Sequence, residues 1–310
     1  MMSLGLVLAF LSGCVVATSS LVVKLASGHA TVLQATLFRN VIMISVLGVF
    51  LTITGEMGSL FRTPRRTMAW MLVRSVASFL ALVSVYALNR LIPLGDAAAI
   101  AGSAPIFTGL FGFLILGEAW TILHILSAIF CWLGVVLVVY TSGNPAEANE
   151  STSTSLYLTT ILSTAVPLSI ALSLVLSRKL AQRRSVYHNI VFTSFGIICC
   201  SLVAMSLTEG VHLPSAATWK YLICDGIGGL LSQYLLTKAL SMESAASCAL
   251  MRNSRVVVGF MFQILIYNQH PTLQSMTGAG IVVATTAVVS ILKSKQKESR
   301  KEQLKSDQHR

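Results

Sequence analysis

Ten stretches of about 20 apolar residues divide this chain, and each is long enough to cross a bilayer as a helix. They fall at 4–24, 35–54, 70–89, 94–116, 121–140, 156–177, 188–208, 218–240, 245–267 and 271–292. A chain built this way has few folds open to it. Backbone groups in lipid must find partners within the protein, so such segments become transmembrane helices packed on one another. Composition agrees. Of 310 residues, 55% are hydrophobic and 11% charged, against roughly 25% charged in soluble domains. The net charge of +11 does not point to nucleic acid. The basic residues gather in the short connections and the tail, as membrane topology requires.

Loop charges set an expected orientation. Arg62, Arg65 and Arg66, then Arg178, Lys179, Arg183 and Arg184, then Lys238 and the basic tail fall on one side. Lys24, Arg90 and Lys220 fall on the other. The positive-inside rule places both termini in the cytosol, in a plasma-membrane or endomembrane protein. The first segment lacks a basic leader and reads as a retained helix. The polar connection 141–155 is then non-cytosolic and carries the sequon Asn149-Glu150-Ser151, which makes Asn149 a possible N-glycosylation site. The tail, 293–310, reads as a solvated or headgroup-bound segment.

The connection 141–155 separates two sets of five helices that echo one another. Lys24-Leu25-Ala26 matches Lys179-Leu180-Ala181. Tyr86-Ala87-Leu88 parallels Lys238-Ala239-Leu240, and in the next segment Pro105 falls opposite Arg255. A unit with an odd number of helices inserts in opposite senses when duplicated. The expected fold is therefore all-α and integral to the membrane: ten helices in two inverted five-helix repeats, 1–140 and 156–292, with a solute site between them.

The ninth segment carries Arg252, Asn253 and Arg255 in its first half. A charge at the bilayer centre costs roughly 2.5–3.5 kcal/mol on insertion scales. Three residues apart, the two arginines share a helix face. Their planar forks match carboxylate and phosphate oxygens. Either they hold an anion in a cavity, or they are structural: Arg252 snorkelling, Arg255 pairing with Asp225 or with helix-end carbonyls. Gln233, Tyr234 and Lys238 could meet the solute, although Tyr234 also suits packing and Lys238 suits a topology anchor. Arg39 and Arg74 add positive charge near expected helix ends, where snorkelling competes with solute contact. Asp225 is the acid that could carry a coupling proton. Pro105 could serve as a hinge or be a tolerated kink. Glu118 reads as a cap or gate. The six cysteines and six histidines form no metal-spaced cluster and receive no role.

Gly95-Asp96-Ala97, Ser103-Ala104-Pro105-Ile106-Phe107-Thr108, Gly117-Glu118 and Phe38-Arg39 resemble the EamA repeat of the drug/metabolite transporter superfamily. Gln233 through Leu240, Phe260 through Ile264, Asn268 and Pro271 are similar to the G branch of solute carrier family 35. The resemblance implies a ten-helix carrier working by alternating access, with basic residues of the ninth helix on an anionic solute. At the place of Arg255 the G branch more often has an acid, so the charge is reversed here. The leading expectation is a secondary transporter of small organic anions, carboxylates first. The alternatives are a nucleotide-sugar or phosphorylated-metabolite carrier, and a non-transporting membrane regulator acting through the basic tail. No Walker motif, metal constellation or nucleophile–base pair is present, so neither an enzyme nor a cofactor is expected. The expected partners are the small anionic solute, the lipid bilayer and a possible second copy in a homodimer, with no nucleic acid.

Overall fold

The computed structural model describes residues 3–55, 65–117, 150–181, 186–208, 210 and 213–281, with isolated positions between 129–137 and 283–288. Every regular element among the described residues is a helix, with no strand among them. The helices are α1 (Leu4–Leu25), α2 (Val32–Ile53), α3 (Arg65–Leu91), α4 (Leu94–Ala101), α5 (Ala104–Phe111), α6 (Glu150–Ala181), α7 (Val186–Thr208), α8 (Trp219–Met242), α9 (Ala245–Met251) and α10 (Ser254–Leu265). An eleventh, α11, covers 273–281. Six described spans are long and apolar enough to cross a membrane. The segment expected at 121–140 and the end of the one at 271–292 lie mostly outside the described residues, as do Glu118, Asn149 and the basic tail.

Local chemistry sets the helix boundaries. Thr31 caps α2 through a reciprocal box: its Oγ1 accepts from Gln34 N at 3.1 Å, and Gln34 Oε1 accepts from Thr31 N at 3.0 Å. Two of the first-turn donors of α2 are thereby satisfied. Ser244 caps α9 by accepting from Ser247 N at 3.3 Å. A π turn at Gly112–Leu116 follows α5 and ends at Gly117, whose φ of +70° is left-handed. A side chain there would meet its own backbone, which is why glycine sits at this stop.

Two of the expected spans are interrupted. The fourth breaks at Gly102-Ser103, between α4 and α5, and the ninth at Arg252-Asn253, between α9 and α10. In both breaks the backbone tightens. Ser103 N donates to Ile100 O, and Asn253 N to Leu250 O, each at 3.1 Å and each reaching back three residues instead of four. Pro105 stands in the first turn of α5, two residues past its break rather than inside a continuous helix. The interior proline is Pro167, in α6.

The two halves pack by the same scheme. α1 lies along α8, and its counterpart α6 lies along α3; α2 meets α7, and the two broken spans cross. Ser3 Oγ donates to Glu243 Oε1 at 2.7 Å, so the start of α1 and the end of α8 share one face, the near face. Arg178, at the end of α6, donates to Leu240 O on that same face. At the far face Lys24, ending α1, donates to Ile92 O at 2.6 Å. α1 and α6 therefore run in opposite directions. The residues flanking the breaks are mostly small: Ala97, Ala99, Ala101, Ala104, Ala245 and Ala249 are all buried in one cluster. Small side chains let backbones approach where lipid offers no hydrophobic drive. Many large apolar residues face outward, with Ile53, Leu72, Val203 and Leu207 at least 60% exposed.

α1 crosses the second break at Gly13. A Cβ there would lie 2.5 Å from Arg252 O and 2.2 Å from Ser254 Oγ. The carbonyl cannot move aside without distorting the turn. Gly13→Ala is therefore expected to cost about 1–3 kcal/mol, the usual range for overpacking. Thermal denaturation in detergent checks this, and an unchanged midpoint would contradict the close approach.

Candidate functional site

The crossing of the two broken spans explains how the membrane interior tolerates them. Pro105 has no N–H, so Ala101 O, four residues earlier, loses its normal helical donor. Ile106 N turns to Ser103 O, which leaves Gly102 O without its own. The opposite repeat fills both places. Arg255 donates to Ala101 O through a short contact, and Asn253 Nδ2 donates to Gly102 O at 2.9 Å. Ser254 Oγ, from the same repeat, also donates to Phe10 O inside α1 at 2.8 Å. Discontinuous helices with polar side chains at the breaks are a recurring device for lining a cavity at membrane depth.

A central cavity of about 110 Å³ lies between the halves. Arg39, Arg252 and Arg255 line it, together with Gln233, Tyr86 and the hydroxyls of Ser19, Ser20, Ser78, Ser173, Ser177 and Ser232. The guanidiniums differ in how they are satisfied. Arg39 Nη1 donates to Asp225 Oδ1 at 2.8 Å and to Tyr86 Oη at 2.6 Å, and Tyr86 Oη donates to Asp225 Oδ2 at 2.7 Å. That closed ring neutralises Arg39. Arg255 has its one carbonyl, and its Nε has no partner. Arg252 donates no side-chain hydrogen bond to any described residue, and its buried Nε is likewise unpartnered. Arg252 also feels the repulsion of Arg39, and Arg255 that of Arg252. Three cations and one carboxylate leave a surplus of positive charge in a low-dielectric space, which concentrates anions.

Several expected positions move. Asp225 pairs with Arg39, not with Arg255, because α8 presents it to α2 at the far-face end of the bundle. Its carboxylate is held on both oxygens, so it is not a free acid in this arrangement. Arg39 and Arg74 do not snorkel at helix ends. They are 8% and 1% exposed, since α2 and α3 begin earlier than the apolar windows suggest. Tyr234 turns away from the cavity and stacks on Tyr187, with ring centroids 6.0 Å apart, in an apolar groove between α2, α7 and α8. Lys238 is exposed and does not line the cavity. Asn253 caps a helix break and is not among the cavity-lining residues. Pro105 is not the breaking point; it frees the carbonyl that Arg255 takes. Gln233 remains at the cavity. Sequence reasoning passed over Tyr86, although its place opposite Lys238 in the repeat had already marked it. It also passed over the serines. Ser173 and Ser177, four residues apart on one helical face, were the visible signal.

A multi-pass helical membrane protein whose two halves enclose a polar, cation-lined cavity is built as membrane transporters are. The chain belongs to the EamA-like transporter family, whose model matches residues 3–140 and again 157–291. It is similar to human solute carrier family 35 member G1, with 28% identity over 94% of this chain and 80% of the relative. It is also similar to the pseudopaline exporter CntI of Pseudomonas aeruginosa, with 27% identity over 92% of this chain and 95% of the exporter. A crystal structure at 16% identity superposes with a TM-score of 0.66 over 96% of this chain and 99% of its own. That likeness concerns the fold alone.

Proposed function

We propose that the protein is a secondary carrier of small organic anions, carboxylates first among them, working by alternating access across a plasma or internal membrane with both termini cytosolic. The observation that carries this reading is Arg252. A guanidinium at a central cavity with no side-chain partner is costly unless a ligand completes it. A planar carboxylate accepts two of its donors at once. The cavity serines offer further hydrogen bonds to hydroxyl or carbonyl oxygens of the solute. Size favours a small solute over a nucleotide sugar. Pockets for drug-sized ligands run roughly 300–1,000 Å³, and this cavity holds about 110 Å³.

Counterflow in proteoliposomes with a panel of labelled carboxylates and phosphates tests the reading. At least one carboxylate is expected to exchange, and Arg252→Ala to slow that exchange about tenfold or more, the worth of one charge-assisted contact. Exchange that persists unchanged in a well-folded Arg252→Ala protein would remove the residue from the binding site. A chain ending at Leu292 is expected to keep transport. A regulator acting through the basic tail would lose its function on the same truncation.

A further inference from the structure

Arg74 is the most deeply buried arginine of the described residues, 1% exposed on α3. Its Nε donates to Ser177 Oγ at 2.8 Å and its Nη1 to Asn189 O at 3.0 Å. Both acceptors are neutral. Among the described residues no carboxylate reaches it, and Arg74 has no partner there beyond these two. Asn189, whose backbone carbonyl takes one of these bonds, is 0% exposed, and neither its Oδ1 nor its Nδ2 has a partner. A guanidinium without a counter-charge thus adjoins a residue with an unpartnered amide, and Ser177, which takes the other bond, lines the central cavity.

The repeat supplies the comparison. Where α2 of the first half meets α8 of the second, Arg39 is neutralised by Asp225 and Tyr86. The repeat-related contact is α7 of the second half with α3 of the first, and there Arg74 meets only a hydroxyl and a carbonyl. The same region of the fold carries a guanidinium twice, and the protein supplies a counter-charge once. Leaving a buried charge uncompensated costs several kcal/mol. A bound oxyanion would supply what Asp225 supplies at the repeat-related contact.

We infer that Arg74, with Ser177 and the Asn189 amide, forms a second oxyanion position at the near-face end of the central cavity, separate from Arg252 and Arg255, taking a carboxylate or phosphoryl group. The inference rests on the carrier reading above. Both bonds of Arg74 cross between the halves, from α3 to α6 and α7. When the near face opens, α3 parts from those helices and the guanidinium is uncovered to an arriving anion. In the closed arrangement Ser177 stands between it and the cavity.

Thermal unfolding in detergent, with millimolar sodium succinate or sodium phosphate titrated at constant ionic strength, provides the test. Both probes are expected to raise the wild-type midpoint. In buffer without them, Arg74→Gln is expected to unfold no earlier than wild type, because an uncompensated charge has gone. In the titration its half-saturating probe concentration is expected to rise about tenfold or more. Arg74→Lys keeps the charge and is expected to fall between the two. A lower Arg74→Gln midpoint with an unaltered titration would overturn the inference and make Arg74 a structural tie. A response intact in Arg74→Gln but lost in the double variant Arg252→Gln/Arg255→Gln would overturn it while sparing the central site. A response lost in Arg74→Gln alone would uphold it and remove the central site instead. No response in wild type would overturn both.

Discussion

Asp225→Ala is expected to destabilise the protein by about 3–5 kcal/mol, the cost of removing one partner from a buried ion pair. The loss would be seen as a collapse in folded yield and an early thermal transition in detergent. Arg39 would keep only Tyr86 as a partner, inside a cavity that already holds two other guanidiniums. Ordinary interhelical hydrogen bonds between the halves are worth less, about 0.6 kcal/mol each. The Ser12–Ser232 and Ser78–Ser173 contacts are of that kind. The ring of Arg39, Tyr86 and Asp225 therefore dominates the polar contribution to holding the repeats together at the far face. Replacing both charges, as Arg39→Met with Asp225→Leu, is expected to recover most of the loss, because no orphaned charge remains. If Asp225→Ala unfolds like wild type, the ring does not carry this load.

Arg255→Glu is expected to bring anion counterflow down to background, a loss of about 100-fold or more. The substitution turns an attraction for the solute into a repulsion. A unit charge at about 4 Å is worth about 4 kcal/mol at an effective dielectric constant near 20, so the swing exceeds a hundredfold comfortably. It also removes the donor on Ala101 O. Arg255→Lys separates the two effects: it keeps the charge but not the planar fork, and a loss nearer tenfold is expected. Counterflow at the wild-type rate in Arg255→Glu would mean that the solute does not pass this arginine.

The spans and the repeat were legible because their signals are long. Twenty apolar residues in a row, and Lys-Leu-Ala at matching places in both halves, survive any detail of packing. The ends of helices were less so. Arg39 and Arg74 read as helix-end residues because an apolar window stops where polar residues begin, whereas α3 runs on to Arg65 through its own arginine pair. Pairing across the bundle was not legible at all. Nothing in the sequence prefers Arg39 over Arg255 as the partner of Asp225; that choice belongs to the packing of α8 on α2. The helix breaks lay between. Gly102-Ser103 ahead of Pro105 is a visible weak point, and the register set Pro105 against Arg255. Arg252-Asn253 looked like ligands for a solute, and only the fold shows the same dipeptide to be a turn.

The uneven charge of the cavity also has an electrical consequence. Arg39 and Asp225 cancel, while Arg252 and Arg255 do not. A carrier that turns over empty drags that surplus through the membrane voltage, where each elementary charge is worth about 2.3 kcal/mol per 100 mV. An anion on board subtracts from the surplus. Voltage should then act on the return of the empty protein more than on the passage of the loaded one. Exchange of one anion for another would proceed almost indifferent to potential, and net movement would follow it.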